Sequence, residues 1–299
     1  MSAGVAAAGV TIGELRRQAC DLLKAAGIEN ASREADWLLA SALDAPSHVL
    51  ILEGERPVSA LQAEQAWSLF RRRAAREPMQ YLLGTQEFRG LEMAVTPDVL
   101  IPRTETELLV EEALRAVADR DEPVIADVGT GSGCIAVALA RAQRDATVYA
   151  LDISAPALAV ARWNATRYGA RDRIRFIQAD LLEAFCNAAA GVFDVIVSNP
   201  PYIPLQDVEG LQPEVARHEP RVALAAGQDG LAFHRRLLRE APPLLKPGGH
   251  LIMELGYGQS ETVTHLTRQS GAFDSVECRN DAAGIERVLI ASLGGQRGS

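Results

Sequence analysis

From about residue 104 onward the sequence alternates between short β-rich runs and stretches of helical periodicity, and this alternation most restricts the fold. Helical stretches are predicted from Ser132, from Pro156 and near residues 233–238. Repeated strand–helix–strand units predict a mainly parallel sheet with helices on both faces. The β-rich runs are VIADVG, TVYALD, RIRFIQ, FDVIVSN, HLIMEL, FDSVEC and GIERVLIAS.

The last two runs are joined only by CRNDAAG, which is too short for the crossover that a parallel pair requires. We therefore expect them to pair as a hairpin, so that one edge strand runs antiparallel. The predicted fold class is α/β, with a mainly parallel seven-stranded sheet and one antiparallel edge strand. In such open sheets ligands bind outside the carboxyl ends of the strands.

The residues before this alternation predict two smaller parts. From Thr11 to about Gly84 the pattern is helical, which predicts a small helical bundle over residues 1–84. Helices are expected to begin at Ser32 and at Ser59, and Ser59-x-x-Gln62 forms a capping box. Residues 85–103 alternate in polarity around an Arg-Gly turn, and we expect a β-hairpin linker there. The third part, residues 104–299, begins with Thr-Glu-Thr-Glu, which is interpreted as a second capping box with Thr104 as the cap.

Composition restricts the partners of the chain. The net charge of −9 disfavours a large phosphate-tracking surface, and the basic run at residues 71–73 is interpreted as a solvated helix face. The four cysteines have neither CxxC spacing nor nearby histidines, so we expect buried thiols and no disulfide or metal site. Without a long apolar run or a signal-peptide pattern, the chain is expected to be cytoplasmic, with no membrane or stable nucleic-acid partner.

A glycine-rich turn follows the first β-rich run and leads into a helix. Glycines permit a tight turn and let a ligand approach backbone that carries no Cβ. The turn also satisfies the dinucleotide fingerprint formally, so a nicotinamide cofactor stays open here, as does a plain strand-to-helix turn. The candidate cofactor-binding residues of this turn are Gly129, Thr130, Gly131, Ser132 and Gly133.

Two acidic residues follow the next two strands. Asp152 ends the second strand, where a carboxylate can accept hydrogen bonds from both hydroxyls of a ribose, and it could also cap the next helix. Asp180 follows the third strand, where an adenine amino group would lie, with Leu181 beside the ring; a loop or capping aspartate is an equal alternative. The pattern indicates a nucleoside without saying which one.

The run Asn199-Pro200-Pro201-Tyr202 follows the fourth strand. Because prolines lack an N–H group, this loop offers carbonyl acceptors with few competing donors. The Asn199 side-chain oxygen and the Pro200 carbonyl could each hold one hydrogen of a planar NH₂ group, on which Tyr202 could stack. The loop is therefore suited to binding an amino or amide nitrogen.

Methyl transfer from S-adenosylmethionine fits this pocket. An amide nitrogen is a poor nucleophile, so it must be aimed at the sulfonium methyl group, and such placement can supply roughly several kcal/mol. The sulfonium departs as a neutral thioether, so no metal is required. A strong base is not required either, because the nitrogen proton becomes acidic only as the new bond forms.

The motifs DVGTGSG, LDIS, ADLLE and SNPPYIP, in this order, resemble those of class I S-adenosylmethionine-dependent methyltransferases. Within that class, LIPRTETE, HEPRVALAAGQDGL, LLKPGGHLIMELGYGQ and DAAGIERV are similar to the release-factor glutamine N5-methyltransferase family, PrmC or HemK. The resemblance runs from about Met79 to Ile290, and the helical bundle also fits. It implies a Rossmann-like fold, S-adenosyl-L-methionine as the cofactor, and the glutamine of the Gly-Gly-Gln motif in bacterial class I peptide chain release factors as the substrate.

By this resemblance the glycine turn, Asp152 and Leu181 would contact the cofactor, and the bundle is the natural candidate for recognising the protein substrate. Thr104 departs from the family pattern, which usually has proline there, and a structural role is favoured for Arg103. The predicted substrate-binding residues are Asn199, Pro200, Pro201 and Tyr202; Asn199, Pro200 and Tyr202 are the predicted catalytic residues, and Asn199 is also expected to contact the cofactor.

The same loop would suit the exocyclic amine of adenine or guanine, so an amino-methyltransferase acting on DNA or RNA is the main alternative. Such an enzyme would normally flip the base and need a basic channel, which the acidic balance disfavours. A regulator that binds the cofactor without catalysis would be expected to tolerate loss of the loop, which is intact. The tail Gly294-Gly295-Gln296 repeats the substrate tripeptide, and coincidence is expected rather than self-methylation.

Overall fold

The computed structural model describes residues 10–295, which divide into two compact units. The first contains residues 10–84 and a helix at 213–218, and the second contains residues 85–212 and 219–295. The helices are α1 (Ile12–Ala25), α2 (Ala31–Leu43), α3 (Ser47–Leu52), α4 (Ala60–Ala74), α5 (Met79–Leu83), α6 (Thr106–Ala116), α7 (Cys134–Ala142), α8 (Ala155–Arg167), α9 (Pro213–His218), α10 (Ala232–Glu240) and α11 (Ser260–Ser270). The strands are β1 (Thr85–Phe88), β2 (Leu91–Ala94), β3 (Val124–Val128), β4 (Thr147–Asp152), β5 (Ile174–Gln178), β6 (Phe193–Ser198), β7 (Leu245–Glu254), β8 (Ser275–Asn280) and β9 (Glu286–Ser292).

The first unit is a helical bundle built on amphipathic helices. The helix predicted from Ser32 is present as α2, which begins one residue earlier, at Ala31, and its Leu38 and Leu39 side chains are fully buried. The capping box predicted at Ser59 is present, because its hydroxyl accepts from the Gln62 N–H and the Gln62 side chain accepts from the Ser59 N–H. This exchange satisfies two N–H groups at the start of α4.

The interpretation of residues 71–73 as a solvated face is wrong for Arg73. Its side chain is only 7% exposed, and it donates to Glu34 Oε2 at 2.6 Å and to Glu214 Oε1 at 2.9 Å. Glu214 also accepts from Arg76 at 2.9 Å. A buried guanidinium requires carboxylate partners, because desolvating an unpaired charge is costly. Helical spacing carries no sign of these partners, which lie far away along the chain.

The second unit starts with the predicted hairpin. Strands β1 and β2 pair antiparallel, from Thr85 opposite Ala94 to Phe88 opposite Leu91. The turn consists of Arg89 and Gly90, whose φ angles are +50° and +73°. Two consecutive positive φ values are typical of the tight turn that matches the twist of a two-stranded ribbon.

Seven strands form the sheet of the second unit, in the order β5-β4-β3-β6-β7-β9-β8. Strand β3 pairs parallel with β4 and β6, whereas β9 pairs antiparallel with β7 and β8. The mainly parallel sheet with an antiparallel hairpin at one edge is therefore confirmed. The strand that runs against the others is β9, which inserts beside β7 and leaves β8 outermost.

Helices cover both faces of this sheet, as predicted. Ile125 of β3 belongs to a core that includes residues of α6, α7 and α8. Ala126 and Val128 of the same strand belong to a second core with Leu237 of α10 and Val263 of α11. Successive side chains of a strand point to opposite faces, so one buried strand contributes to both cores.

The capping box predicted at Thr104 is wrong. Helix α6 begins at Thr106, with Glu105 at the N-cap position and no side-chain capping hydrogen bond there. The Glu107 carboxylate accepts instead from the backbone N–H of Arg89 in the hairpin turn, at 3.0 Å. The Glu107 side chain, which the local pattern assigned to the capping box, therefore makes a tertiary contact with the hairpin instead.

Gly133 lies directly before α7, with a φ of +79°, and packs against α8. A Cβ at this position would lie 2.9 Å from the Ala161 Cβ and 3.0 Å from its Cα. Gly133→Ala is therefore expected to lower the free energy of unfolding by about 2 to about 4 kcal/mol, because backbone strain and a clash with α8 combine. Urea unfolding followed by circular dichroism measures this loss.

Gly169→Ala is the matched control. Gly169 also has a positive φ, of +62°, but, apart from Gly169 and its two chain neighbours, no atom of residues 10–295 lies within 4 Å of the Cβ that alanine would add. It should cost only about 1 kcal/mol. Equal losses for the two variants would contradict the packing role of Gly133.

Four further expectations concern the cysteines, a metal site, a membrane span and the C-terminal glutamine. The cysteines are free. The expectation of a buried thiol is confirmed for Cys134 and wrong for Cys186, which is exposed, while Cys20 and Cys278 are half-buried. Within residues 10–295 no cluster of three or more His, Cys, Asp or Glu side chains is placed to hold a metal ion. In the same part of the chain no helix is long and apolar enough to cross a membrane. Gln296 lies outside the described residues.

Candidate active site

The carboxyl ends of β3 and β6 lie side by side and carry the two motifs that the sequence singles out. Val128 and Ser198 are in register, and the Ser198 hydroxyl donates to the Val128 carbonyl at 2.7 Å. This buried hydrogen bond ties the two strand ends together. The glycine turn and the Asn-Pro-Pro-Tyr loop therefore start from adjacent points at the switch point of the sheet, where open α/β sheets bind ligands.

The glycine turn exposes backbone to the space above the sheet. Gly129 and Gly131 have φ angles of +77° and +53°, a region that glycine adopts readily. The N–H groups of Gly129 and Thr130 both donate to the Leu151 carbonyl, at 2.8 and 2.9 Å. Apart from each glycine and its two chain neighbours, no atom of the described part of the chain lies within 4 Å of a Cβ built on Gly129 or Gly131. A ligand can approach the turn closely there.

The remaining residues of the turn support it from behind. The Thr130 hydroxyl donates to Asp127 Oδ2 at 2.6 Å. Burial raises the pKa of Asp127 to about 7, although this hydrogen bond favours the charged form. Ser132 is buried, and its carbonyl accepts from Asn164 Nδ2 at 2.8 Å. Thr130, Ser132 and Gly133 therefore contact protein, whereas Gly129 and Gly131 line the cavity.

Asp152 ends β4 and also lines the cavity. Its Oδ1 accepts from the Ser154 N–H and its Oδ2 from the Gly131 N–H, both at 2.9 Å. Burial raises the pKa of Asp152, and the backbone hydrogen bonds oppose that rise. Each oxygen keeps a second acceptor position, which fits a pair of ribose hydroxyls. Ser154 caps α8, so Asp152 does not serve as that cap.

Asp180 and Leu181 lie at the same cavity, next to an arginine that sequence reasoning missed. Arg236 Nη1 donates to both oxygens of Asp180, at 2.8 and 3.0 Å. Leu181 has a φ of +50°, which is uncommon for a non-glycine residue and is often found at ligand sites. Arg236 lies on α10 and belongs to no recognised motif, so only the folded chain brings it to Asp180.

The cavity has a volume of about 240 Å³. Its lining includes Gly129 and Gly131 of the glycine turn, Asp152, Asn199 and Pro201. A mostly apolar cavity with a few convergent polar groups is typical of a small-molecule site. Its apolar walls include Val99, Leu100, Ile153, Ala157, Val222, Ala223 and Phe233.

The Asn-Pro-Pro-Tyr loop offers two acceptors. Asn199 Nδ2 donates to Thr106 Oγ1 at 3.1 Å, so the nitrogen of the side-chain amide is directed toward α6. Among residues 10–295 no donor bonds to Asn199 Oδ1 or to the carbonyl of Pro200. Pro200 is buried and Pro201 lines the cavity. The arrangement can therefore bind both hydrogens of an NH₂ group.

The far end of this loop is fixed by its neighbours. Gln259 Nε2 donates to the Tyr202 carbonyl at 2.9 Å, and the Ile203 N–H donates to the Leu224 carbonyl at 3.0 Å. Burial raises the pKa of Tyr202 to about 12, and the nearby Glu254 carboxylate adds to the rise. The phenol therefore stays neutral and presents its ring and hydroxyl rather than a charge.

Arg103 has a structural partner. It forms an ion pair with the buried Glu219, which also accepts from the Ile101 N–H at 3.3 Å. These contacts join the segment before α6 to the segment after α9. Residues 98–100 of the first segment and residues 220, 222 and 223 of the second contribute to the cavity walls. The structural role favoured for Arg103 agrees with this contact.

Two further residues touch the site indirectly and were missed. Thr106, the first residue of α6, donates its hydroxyl to Glu254 Oε2 at 2.7 Å. Glu254 is the last residue of β7 and is 2% exposed. A carboxylate directly after the apolar residues 251–253 at the end of β7 was the available signal, since the carboxyl ends of the parallel strands meet at one edge of the sheet.

Comparison with known families agrees with this geometry. The family described as PrmC N-terminal domain matches residues 14–84, and the family described as Methyltransferase small domain matches residues 104–213. A release factor glutamine methyltransferase of Geobacter sulfurreducens is 46% identical over 268 residues, which cover 90% of this chain and 92% of that protein. This chain belongs to the release factor glutamine methyltransferase family.

Other relatives agree with the assignment. A release factor glutamine methyltransferase of Bordetella pertussis is 47% identical over 259 residues, covering 86% of this chain and 88% of that protein. Among solved structures, the hMettl16 catalytic domain in complex with a 3′UTR hairpin gives a TM-score of 0.57 at 16% identity, covering 79% of this chain and 82% of that chain. At that identity the likeness concerns the methyltransferase fold alone.

Proposed function

We propose that this chain transfers a methyl group from S-adenosylmethionine to the side-chain amide nitrogen of the glutamine in the Gly-Gly-Gln motif of bacterial class I peptide chain release factors. One observation carries the proposal. Asn199 Oδ1 and the Pro200 carbonyl, two acceptors without a donor among residues 10–295, stand at the strand end beside a cavity suited to a nucleoside. An amide NH₂ group supplies the two matching donors.

The cavity fits the nucleoside part of the cofactor. Gly129 and Gly131 leave room for close approach to backbone, and Asp152 has acceptor positions for the ribose hydroxyls. Leu181 and the apolar walls offer contact for an adenine ring, with Asp180 beside it. When bound, S-adenosylmethionine supplies a methyl group on a sulfonium that leaves as a neutral thioether.

The loop residues would prepare the nitrogen for attack. Asn199 Oδ1 and the Pro200 carbonyl each hold one amide hydrogen, which fixes the plane of the group and directs the nitrogen lone pair. The nitrogen would bond to the methyl carbon as the carbon–sulfur bond breaks, and it would then release one of its two hydrogens as a proton to water. Hydrogen bonds to both hydrogens also increase electron density on a nitrogen whose lone pair is delocalised into its carbonyl. Tyr202 would pack its ring against the amide plane, and Pro201 would shape the pocket.

The helical bundle is the proposed recognition unit for the protein substrate. Several of its large apolar side chains are exposed, with Ile51 at 66%, Leu52 at 78% and Leu61 at 66%. Exposed apolar residues of this size are typical of protein-binding surfaces when they lie together. We also propose that the protein is cytoplasmic, where it would encounter release factors. The net charge of −9 supports the proposal that it has no stable nucleic-acid partner, and the sequence pattern supports the proposal that it has no membrane partner.

The test uses labelled methyl donor with four substrates in parallel: a release factor, the same factor with the motif glutamine changed to alanine, DNA and ribosomal RNA. Only the intact release factor should take up label, and peptide mapping should place the methyl group on the motif glutamine. Label in DNA or RNA, with none in the release factor, would favour the base amino-methyltransferase instead. Uptake by the alanine form would show that another residue is the acceptor.

A further inference from the structure

The buried carboxylate of Glu254 lies behind the Asn-Pro-Pro-Tyr loop, residues 199–202, which is called the amide-binding loop. It takes no part in the chemistry described above. Glu254 Oε2 accepts from the Thr106 hydroxyl at 2.7 Å, and Thr106 Oγ1 accepts from Asn199 Nδ2 at 3.1 Å. Glu254 and Thr106 are each 2% exposed, so water competes little for these hydrogen bonds. The three side chains come from β7, α6 and the loop after β6, and together they form a short buried chain of hydrogen bonds.

The number of hydrogens that Glu254 and Thr106 carry determines the direction of each of these hydrogen bonds. An ionised carboxylate can only accept, so the single hydroxyl hydrogen of Thr106 is committed to Glu254. The Thr106 oxygen is then left as an acceptor toward Asn199. Only the NH₂ end of the Asn199 amide can satisfy it, which leaves Oδ1 for the substrate.

This selection matters because the two ends of an asparagine amide are almost the same size. A turn of the amide by 180° changes its shape little but exchanges a donor for an acceptor. With Nδ2 facing the substrate, Asn199 would present hydrogens to the hydrogens of the incoming NH₂ group. The amide-binding loop would then repel the group that it is proposed to hold.

We propose that Glu254 and Thr106 are positioning residues, which fix the Asn199 amide in the one orientation that accepts a hydrogen from the substrate nitrogen. This inference rests on the proposed function, since it assumes that the substrate presents an NH₂ group to Asn199. Neither residue touches the reacting atoms. Their contribution is to remove the unproductive orientation before the substrate arrives.

The charges around Glu254 make this orientation dependent on pH. Burial raises the pKa of Glu254 to about 7; the Thr106 hydrogen bond, Arg287 and Arg103 oppose the rise, and Glu105 adds to it. Three other titratable groups face Glu254. Tyr202 and the buried thiol of Cys134 stay neutral, because the pKa of each is raised to about 12. The pKa of His234 is lowered by burial, and its Nε2 lies 3.0 Å from the Glu254 carbonyl.

A protonated Glu254 would reverse the chain of hydrogen bonds. The neutral carboxyl can donate to Thr106, which frees the threonine hydroxyl to donate to Asn199 Oδ1 and so to favour the turned amide. The productive form is therefore the ionised one, present above the pKa of Glu254. The single-turnover rate of methyl transfer should rise with pH through about 7.

The experiment compares Glu254→Gln, Thr106→Val and Thr106→Ser with the wild-type chain. The first two should lower the single-turnover rate by about 30- to 100-fold, while the cofactor Kd stays within about threefold, because only orientation is lost. Thr106→Ser keeps the hydroxyl and should stay within about threefold of wild type. The pH step near 7 should disappear in Glu254→Gln.

Glu112→Gln is the matched control, because Glu112 is also a buried glutamate of this unit but pairs with Arg115 and Arg279 instead of Thr106. It should keep the wild-type pH profile. A wild-type rate that is flat through pH of about 7, or a Thr106→Ser rate as low as that of Thr106→Val, would overturn the inference. Failure of the wild-type chain to methylate a release factor would instead overturn the proposed function, so the two failures are distinct.

Discussion

Replacing Asn199 by alanine should reduce methyl transfer to release factor by about a thousandfold or more, because the nitrogen loses one of its two acceptors and its orientation. Cofactor binding should change by less than about tenfold, or ~1.4 kcal/mol, since the glycine turn and Asp152 remain. Single-turnover kinetics with labelled methyl donor measure the rate. Calorimetry with S-adenosylhomocysteine measures the binding.

Asn280→Ala provides the control for this variant, because Asn280 is exposed on the outermost strand β8. Its rate and its cofactor Kd should match those of the wild-type chain. If Asn199→Ala kept most of its rate, Asn199 would not be the acceptor for the substrate amide. If it lost cofactor binding and rate together, Asn199 would act chiefly on the cofactor.

Asp152→Ala should have the opposite signature. Its carboxylate accepts from the N–H groups of Gly131 and Ser154, and two acceptor positions remain for ribose hydroxyls. Loss of all these bonds should weaken cofactor binding by about 100-fold, or ~2.7 kcal/mol, because hydrogen bonds to a charged group are lost and the glycine turn is loosened. At saturating cofactor the rate of transfer should stay within about tenfold of wild type, because the amide-binding loop is unchanged.

Asp145→Ala serves as the control, because Asp145 is exposed and precedes β4, at the opposite end of the strand from Asp152. It should leave the cofactor Kd unchanged. A cofactor Kd for Asp152→Ala within about threefold of wild type would mean that this carboxylate supports the turn but does not bind the ribose.

Strands and helices in which apolar residues recur at regular spacing were predictable from the sequence. The seven strands of the sheet are all present, and the parallel pairing of β3 with β4 and of β4 with β5 follows from the helices α7 and α8 between them. The Ser59 capping box and the Arg89-Gly90 turn were also predictable, because short-range hydrogen bonds and φ preferences decide them. Thr104 failed as a cap because the Glu107 carboxylate contacts the hairpin instead, and local pattern cannot reveal such a competitor.

The site was predictable only where its residues follow strand ends in the sequence. Gly129, Gly131, Asp152 and Asn199 all line one cavity, since parallel strands bring their carboxyl ends to the same edge. Arg236, which engages Asp180, comes from a helix without a motif.

The sequence by itself determined the order of strands and helices, the acceptor-rich loop and the family resemblance, because those features depend on neighbours in the chain and on residue chemistry. Only the tertiary structure decided which donors and acceptors meet. It brought Asn199 to Thr106 across 93 residues and Thr106 to Glu254 across 148 residues, and it buried Arg73 among carboxylates. Buried polar groups must find partners wherever the packed fold supplies them, and short-range sequence pattern carries no record of that choice.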